Sequence, residues 1–403
     1  MILSISRSFD FAVHPTNLRA KFLMLLGNTF GNHKIGILGG GQLGRMLIQS
    51  GIDFNIPFAV LDPDPHAPCS ALAEFFHGKL TDFDTVVKFG SACDIITIEI
   101  ENVNTAALKE LVKLGKKVYP QPEIIELIQD KRTQKIFYQE NNIPTAEFVL
   151  VENAADVTTR ESFLPAVNKL GREGYDGRGV QILRTKEDFS KAFNAPGLLE
   201  KLIPFVKEVA VIVARNERGE VTSFPAVEMV FHPVQNLVEY LFAPADLSEK
   251  VLKTADNVAR SIIEKLHLVG ILAVEMFVTR EGNVLVNEIA PRPHNSGHQT
   301  IEANSTSQYE QHLRAILNLP LGDTNLILPS AMVNLLGEPG FEGLAQYQGI
   351  DEIMKLPGVH IHLYGKRMTK PFRKMGHVTI VDQDLERLKK KATFVKQTLK
   401  VTA

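Results

Sequence analysis

A chain of 403 residues, 44% hydrophobic and 22% charged, is long enough for two or three packed domains and has the make-up of an ordinary globular protein. Its formal net charge of −2 supplies no global field for drawing in nucleic acid or an anionic membrane, and no apolar run is long enough to cross a bilayer. Two cysteines, Cys69 and Cys93, cannot build a disulfide framework; they suit a reducing, cytoplasmic setting and read as core thiols.

Residues 1–33 carry Arg7, Arg19 and Lys21 against one acid, Asp10, and a short apolar run at 22–26. That run is too short for a signal-peptide core, and no small-residue cleavage site follows it. A poorly ordered extension is expected, with folded sequence beginning near Lys34. Strands are expected at 34–39 (KIGILG), 57–62 (PFAVLD), 94–98 (DIITI) and 116–119, with helices at 42–51 and 104–114. Buried strands alternating with helices predict an α/β domain at 34–128, its parallel sheet covered on both faces.

From Asp130 the texture changes to α+β. A polar helix at 131–141 leads to short strands at 148–151, 165–169, 180–183, 198–200, 208–214 and 221–224. Val251, Leu252, Ala255, Val258, Ala259, Ile262 and Ile263 recur at helical spacing and predict a helix at 248–266. Strands at 271–278 and 284–289 flank Glu281-Gly282-Asn283, which suits a hairpin. After a helix at 308–317, the tail forms a small cap. The expected divisions are 129–326, with a lid at roughly 145–205, and 327–403.

Gly39-Gly40-Gly41-Gln42-Leu43-Gly44 follows a strand and opens a helix, and Asp62 ends the next strand. Three readings stay open for this loop. It is a dinucleotide site with a ribose-binding acid, which would make the protein an NAD-dependent oxidoreductase. It is a helix N-terminus that receives a substrate phosphate or carboxylate. Or it is a tight strand–helix turn with no ligand.

A second glycine loop, Glu173-Gly174-Tyr175-Asp176-Gly177-Arg178-Gly179-Val180, separates two apolar strands, and Lys169 stands just upstream. Backbone amides of such a loop can cradle phosphates, although a lone loop of this kind is more often a surface hairpin. Glu200 ends an apolar strand that continues Lys201-Leu202-Ile203, whose main chain could meet an adenine edge; Glu208 could accept from a ribose. Taken singly, each glutamate reads as an exposed strand-end charge. Glu275 and Asn287-Glu288 interrupt apolar strands on either side of the hairpin turn. Two buried carboxylates on neighbouring strands need a cation, and oxygen ligands on rigid strands suit Mg²⁺ or Mn²⁺. The bland alternative is a buried ion pair with Arg292.

Taken together, GYDGRG at 174–179, Glu200 with Glu208, and NEIAPRPHNSGH at 287–298 resemble the ATP-grasp family of 5-(carboxyamino)imidazole ribonucleotide synthases. The likeness extends to GGGQLGR at 39–45, SQYEQHLRAILNLP at 307–320 and a stretch at 362–377 containing YGK and RKMGH. The formate-using glycinamide ribonucleotide transformylase, an alternative of the same fold, is similar at 287–294 but is not expected to continue Asn295–His298. The resemblance implies a Rossmann-like preATP-grasp domain, an ATP-grasp domain with a lid, and a C-terminal cap. It implies ATP contacts at Lys131, Lys169, Gly174 to Val180, Glu200, Lys201, Leu202, Ile203, Glu208, Asn287 and Glu288, with metal on Glu275 and Glu288. Lys131 stands where the family is expected to have arginine, and a family histidine aligns with His232 only if one residue is inserted.

The implied reaction is ATP-dependent carboxylation of 5-aminoimidazole ribonucleotide by bicarbonate, through carboxyphosphate, and the resemblance implies a homodimer. Arg292, His294 and Asn295, next to the metal strand, are the candidates for handling bicarbonate and amine, with Tyr175, Asp176 and Arg178 closing from the lid. Lys366, Arg367, Lys370, Arg373 and Lys374 form a basic cluster. Too short and too poor in aromatics for nucleic acid, it is a candidate for the ribonucleotide phosphate, with Lys366, Arg373 and Lys374 foremost. Gly41, Gln42 and Leu43 are expected to add main-chain donors, and Glu99 or Glu101 to hold the ribose hydroxyls.

Overall fold

The structure, a computed structural model, describes residues 33–172, 174, 179–231 and 238–403. Residues 1–32 of the expected extension, Tyr175, Asp176, Gly177 and Arg178 of the second glycine loop, and His232 lie outside the described residues.

Short runs of β-branched and aliphatic residues set the first layer. β1 (Ile35–Leu38), β2 (Phe58–Asp62), β3 (Glu74–His77), β4 (Ile95–Ile98) and β5 (Lys117–Val118) form a parallel sheet in the order β3-β2-β1-β4-β5. Between them run α1 (Gln42–Ile52), α2 (Phe83–Ser91), α3 (Thr105–Lys113) and α4 (Pro122–Ile128). Local chemistry starts these helices. The Asp82 and Asn104 side chains accept from the amides of Thr85 and Ala107, and a proline opens α4. One sheet face packs Ile35, Ile37 and Val60 against α1, and the other packs Leu38, Ile96 and Ile98 against α2 and α3. The two-faced parallel sheet is as expected. β3 and α2 are additions: β3 is a half-exposed edge strand, EFFH, without alternation or a long apolar run.

α5 (Lys131–Glu140) leads into a small antiparallel sheet of β6 (Phe148–Val151), β7 (Ala166–Leu170), β8 (Val180–Leu183) and β9 (Gly197–Lys201), ordered β6-β9-β7-β8. The short α6 (Ala154–Thr158) and Val157, Phe163 and Leu199 close its own core.

The largest sheet is antiparallel. It takes β10 (Phe205–Arg215), β11 (Val221–Ser223), β12 (Val227–Phe231), β13 (Val238–Ala243), β14 (Gly270–Thr279) and β15 (Val284–Ala290) from the middle of the chain. α7 (Glu249–Lys265) covers one face, where Ala255, Ala259, Ile262 and Ile263 meet Val209, Val211, Val213, Leu272, Val274 and Met276. Strand alternation therefore turns Glu208, Ala210 and Glu275 to the opposite face. After α8 (Thr300–Ala303) and α9 (Gln308–Ile316), the tail supplies β16 (Ser330–Leu336), β17 (Gly343–Leu344), β18 (Gln346–Gln348), β19 (Val359–Leu363), β20 (Met368–Thr369), β21 (Lys374–Val381) and β22 (Lys400–Thr402), with α10 (Ile350–Ile353) and α11 (Leu385–Thr398).

β16, β21 and β19 extend the large sheet through β13, giving the order β15-β14-β10-β12-β13-β16-β21-β19, with β11 beside β10. β17 pairs with β20 and β18 with β22 as separate ribbons. The tail is thus continuous with the middle sheet through two strands, β12 and β13, that the sequence pattern does not announce. α9 leans back on the first module, placing Tyr309, Leu313 and Ile316 in the core beside Met46, Phe58 and Tyr364. Among the described residues, no helix is long and apolar enough to cross a membrane.

Candidate active site

The uncovered face of the large sheet carries three carboxylates. Glu275 lies opposite Ala210 and Glu208 opposite Phe277, so the two glutamates are diagonal neighbours on one face. Glu288 is the cross-strand partner of Glu275, and the register slips immediately afterwards, where Met276 pairs with Val286. Asn287 is the extra residue of this bulge. Its side chain and that of Glu288 both reach lysines on the same cleft, as described below. Burial, then Glu288 and Glu208, push the Glu275 carboxyl well up from the ordinary range. Burial and the Glu288 charge push Glu208 up to about 7. Lys131 holds Glu288 low against the effect of its burial.

Cations approach from two sides. From α5, Lys131 Nζ donates to Glu288 Oε2 at 2.9 Å. From β7, Lys169 Nζ donates to Asn287 Oδ1 at 3.0 Å and lies 2.9 Å from Glu200 Oε2. Glu200, on β9, is buried, yet Lys169 and Lys135 outweigh desolvation and keep its carboxyl low. Lys135 was not singled out in the sequence. It stands 3.0 Å from Glu200 Oε1 and also contacts Thr145 Oγ1, and burial lowers its ammonium to about 8. Its signal was available: Lys131 and Lys135 are spaced i, i+4, one face of one helix. Lys201 points away, donating to the Ser162 carbonyl and lying over the Phe163 ring. The Lys201 and Leu202 amides are taken by the carbonyls of Glu147 and Pro165, which leaves carbonyls rather than these amides for an adenine edge. Ile203 follows them, and its carbonyl accepts from Phe205. Gly174 and Gly179, the described residues of the second glycine loop, flank its tip, and Val180 begins β8.

Past β15 the chain turns through Arg292, His294 and Asn295. Arg292 Nε lies 3.0 Å from Glu101 Oε1, and it is Lys131 that pairs with a sheet carboxylate, Glu288. His294 Nε2 instead approaches Glu275 Oε1 at 3.5 Å, while its Nδ1 lies 2.9 Å from Ser296 Oγ. Lys374 lies near enough to lower the carboxyl of Glu275, so the tail reaches this centre. Lys366 Nζ donates to the Lys374 carbonyl at 2.8 Å, and Arg373 Nη1 to the Met368 carbonyl at 2.7 Å.

The first glycine loop is already occupied by the protein's own acids. The Gly40 amide donates to Asp62 Oδ2 at 2.6 Å, and the Gly41 and Leu43 amides donate to Glu99 at 2.6 and 3.2 Å. A Cβ on Gly41 would fall 2.3 Å from Glu99 Oε1, so glycine is required for this approach. Glu99 caps α1, on which Gln42 is the first residue. Two carboxylates where a pyrophosphate would sit repel a dinucleotide, which removes the oxidoreductase reading. The Gly41 and Leu43 amides, expected to serve a substrate phosphate, here donate to Glu99. Glu99 and Glu101 remain at one end of β4, facing the cleft between the first and middle modules with Arg292.

Three family descriptions match the chain: a ribonucleotide synthetase preATP-grasp domain at residues 32–129, an ATP-grasp domain at 136–309, and a phosphoribosylaminoimidazole carboxylase C-terminal domain at 330–391. The chain is 39% identical over 365 residues to the chloroplastic phosphoribosylaminoimidazole carboxylase of Vigna aconitifolia, covering 87% of this chain but 64% of that protein, less than two thirds of its length. It is 38% identical to the N5-carboxyaminoimidazole ribonucleotide synthase of Synechococcus elongatus, covering 86% of this chain and 89% of that one. Among solved structures, the N5-carboxyaminoimidazole ribonucleotide synthetase of Thermotoga maritima is similar with a TM-score of 0.85 and 42% identity, over 92% of this chain and 99% of that one. The Aspergillus clavatus N5-carboxyaminoimidazole synthase in complex with ADP and 5-aminoimidazole ribonucleotide is similar with a TM-score of 0.83 and 32% identity, over 91% and 98%.

The charge arrangement sets a pH dependence. Glu275 keeps a proton in the folded protein that the unfolded chain releases at the ordinary carboxylate pKa. The folded state therefore binds more protons in that interval, and stability falls as pH rises towards the raised pKa of Glu275. Glu275→Gln removes this loss. Without metal or nucleotide, its melting temperature should exceed that of the parent by a margin that widens between about pH 5 and about pH 8. Melting curves across that range check it; a margin that is flat or reversed would show the Glu275–His294 contact to outweigh the repulsion.

Proposed function

The chain belongs to the N5-carboxyaminoimidazole ribonucleotide synthases, ATP-dependent ligases of the ATP-grasp fold in de novo purine biosynthesis, and we propose that its cleft runs that reaction as follows. ATP lies between the β6–β9 sheet and the uncovered face of the large sheet. Lys131 and Lys169 leave their present partners for the phosphates, the second glycine loop closes over them, Glu208 accepts from the ribose, and Glu200 stays anchored by Lys135. The observation that carries this reading is the meeting of Lys131 and Lys169 at Asn287–Glu288, opposite Glu275 and just upstream of Arg292 in the chain.

The donor set fits Mg²⁺. Glu275 and Glu288 are paired across two strands, Glu288 keeps 44% of its side-chain surface open to the cleft, and mutual repulsion marks a missing positive charge. Among the described residues no three His, Cys, Asp or Glu side chains form a ready-made metal cage. This suits an ion that takes one or two carboxylates and completes its shell with water and phosphate oxygens. When bound there, the metal supplies charge compensation for the phosphates.

Bicarbonate is a poor electrophile because negative charge shields its carbon. One of its oxygens attacks the γ-phosphorus, the bond to the bridging oxygen breaks, and ADP leaves carboxyphosphate behind. The amine of 5-aminoimidazole ribonucleotide then attacks the carboxyl carbon. The bond from carbon to the phosphate oxygen breaks, and the leaving phosphate, the strongest base formed in the site, takes up the amine proton. Phosphoryl transfer asks mainly for positioning and charge compensation. Lys169 and Lys131 provide these at the phosphates, and Arg292, His294 and Asn295 hold bicarbonate and amine. Closure excludes the water that would hydrolyse carboxyphosphate. Glu99 and Glu101 hold the ribose of the ribonucleotide, and Lys366, Arg373 and Lys374 its phosphate.

Two measurements test this. ADP release should require 5-aminoimidazole ribonucleotide and bicarbonate together; ADP formed with glycinamide ribonucleotide and formate instead would overturn the assignment. Replacing Arg373 or Lys374 by alanine should raise the KM for the ribonucleotide by about tenfold to a hundredfold, the worth of one charge-assisted phosphate contact, with a much smaller change for ATP. An unaltered ribonucleotide KM in both variants would return the basic cluster to a solvated face.

A further inference from the structure

Three polar side chains of the C-terminal part stand in one row across its strands. Asn334 in β16 is the cross-strand partner of His377 in β21, and His377 is the partner of His362 in β19. Asn334 and His377 are buried, and a buried polar group is costly unless it is matched. The match comes from the segment that follows the carboxylate strand. Asn295 Nδ2 donates to Asn334 Oδ1 at 2.9 Å, and Asn334 Nδ2 donates to Asn295 Oδ1 at 3.0 Å. The His377 ring lies between those of His298, 4.6 Å away, and His362, stacked at 4.4 Å and 8°. His362 Nε2 lies 2.7 Å from Glu302 Oε1.

The spacing explains the fit. Asn295, His298 and Glu302 are related as i, i+3 and i+7 along a path of one 3₁₀ turn and α8, so they recur about once per turn. A helical turn rises about 5.4 Å and strands lie about 4.8 Å apart. A row taken across three strands is therefore nearly commensurate with one face of a helical segment. Two tyrosines hold the imidazoles in place: Tyr309 Oη lies 2.9 Å from His298 Nδ1, and Tyr364 Oη 3.1 Å from His377 Nδ1. A further N–H contact, from Asn334 Nδ2 to the Val238 carbonyl at 2.8 Å, fixes the amide of Asn334 itself.

We propose that the Asn334–His377–His362 row is a positioning template for the segment carrying His294 and Asn295, in which Asn334 sets the plane and sense of the Asn295 amide. The reciprocal pair uses one N–H and one oxygen lone pair of Asn295 and fixes the plane in which its second N–H and second lone pair act on bicarbonate or amine. An amide turned over would present an oxygen where a donor is needed. Asn334 touches no reactant; it is a positioning residue, and the inference rests on the placement of Asn295 in the carboxylation site given above.

The experiment is a double-mutant cycle on the full-length protein, reading kcat for ribonucleotide-dependent ADP release, the KM for ATP and the melting temperature. Asn334→Ala should lower kcat by about tenfold or more with the ATP KM nearly unchanged, and adding it to Asn295→Ala should cause little further loss. Asn334→Asp keeps the volume but sets an acceptor against Asn295 Oδ1; it should lower kcat at least as far, and it serves where the alanine variant does not fold. Wild-type kcat in both Asn334 variants overturns the proposal, as does a loss that multiplies with that of Asn295→Ala. If Asn295→Ala itself turns over normally while Arg292→Ala does not, the template idea falls and the ligase reading stands on the other residues.

Discussion

Everything in the cleft depends on the cost of placing carboxylates together on one face of a sheet. Glu208, Glu275 and Glu288 share that face, and Lys131 sits directly on Glu288. Removing Lys131 would leave these carboxylates repelling one another with no opposite charge on Glu288. The fold meets this cost by aiming one helix at both walls. Lys131 of α5 reaches the large sheet and Lys135, one turn on, reaches Glu200 in the smaller sheet. The helix is a strut between the two walls of the nucleotide cleft. On the proposed reading, a bound nucleotide with its metal would exchange partners within this set, lysines passing to phosphates and carboxylates to the cation, so the total charge to be neutralised would change little.

The first module illustrates how a familiar loop can be put to another use. A glycine turn at the start of α1 is an anion site by its nature, because its amides and the helix dipole point outward. Here β2 and β4 end in acids that fill it from within. The result is a rigid corner that holds Glu99, with Glu101 two residues on and Arg292 of the middle module against it. The corner presents acids rather than receiving them, which suits hydroxyl groups of a sugar better than its phosphate.

Much of this was legible in the residues. The parallel sheet was announced by KIGILG, PFAVLD and DIITI, each too apolar to be half-exposed, and the Glu275 and Asn287–Glu288 interruptions marked the carboxylate strands. Other parts were hidden for physical reasons. β12 and β13 are short, and β13 finds its second neighbour, β16, far off in sequence, Tyr240 pairing with Val333; periodicity cannot show such pairing. The bulge at Asn287 defeats strict alternation, since two adjacent polar residues in a strand normally point to opposite faces. The capture of the Gly41 and Leu43 amides by Glu99 is a contact across 58 and 56 positions, invisible to any local motif. Lys135 looked like one more surface lysine in a polar helix.

The large sheet joins the middle of the chain to its tail through an unbroken hydrogen-bonded ladder from β14 to β19. A ladder of this kind resists shear within its own plane, so the floor under the nucleotide and the row that receives Asn295 move as a single plate. Freedom to open is left to the separate sheet of β6 to β9, which shares no strand with that plate. On the proposed reading, substrates would be admitted by movement of that separate sheet over the plate, and Arg292, His294 and Asn295 would keep their mutual geometry through opening and closing.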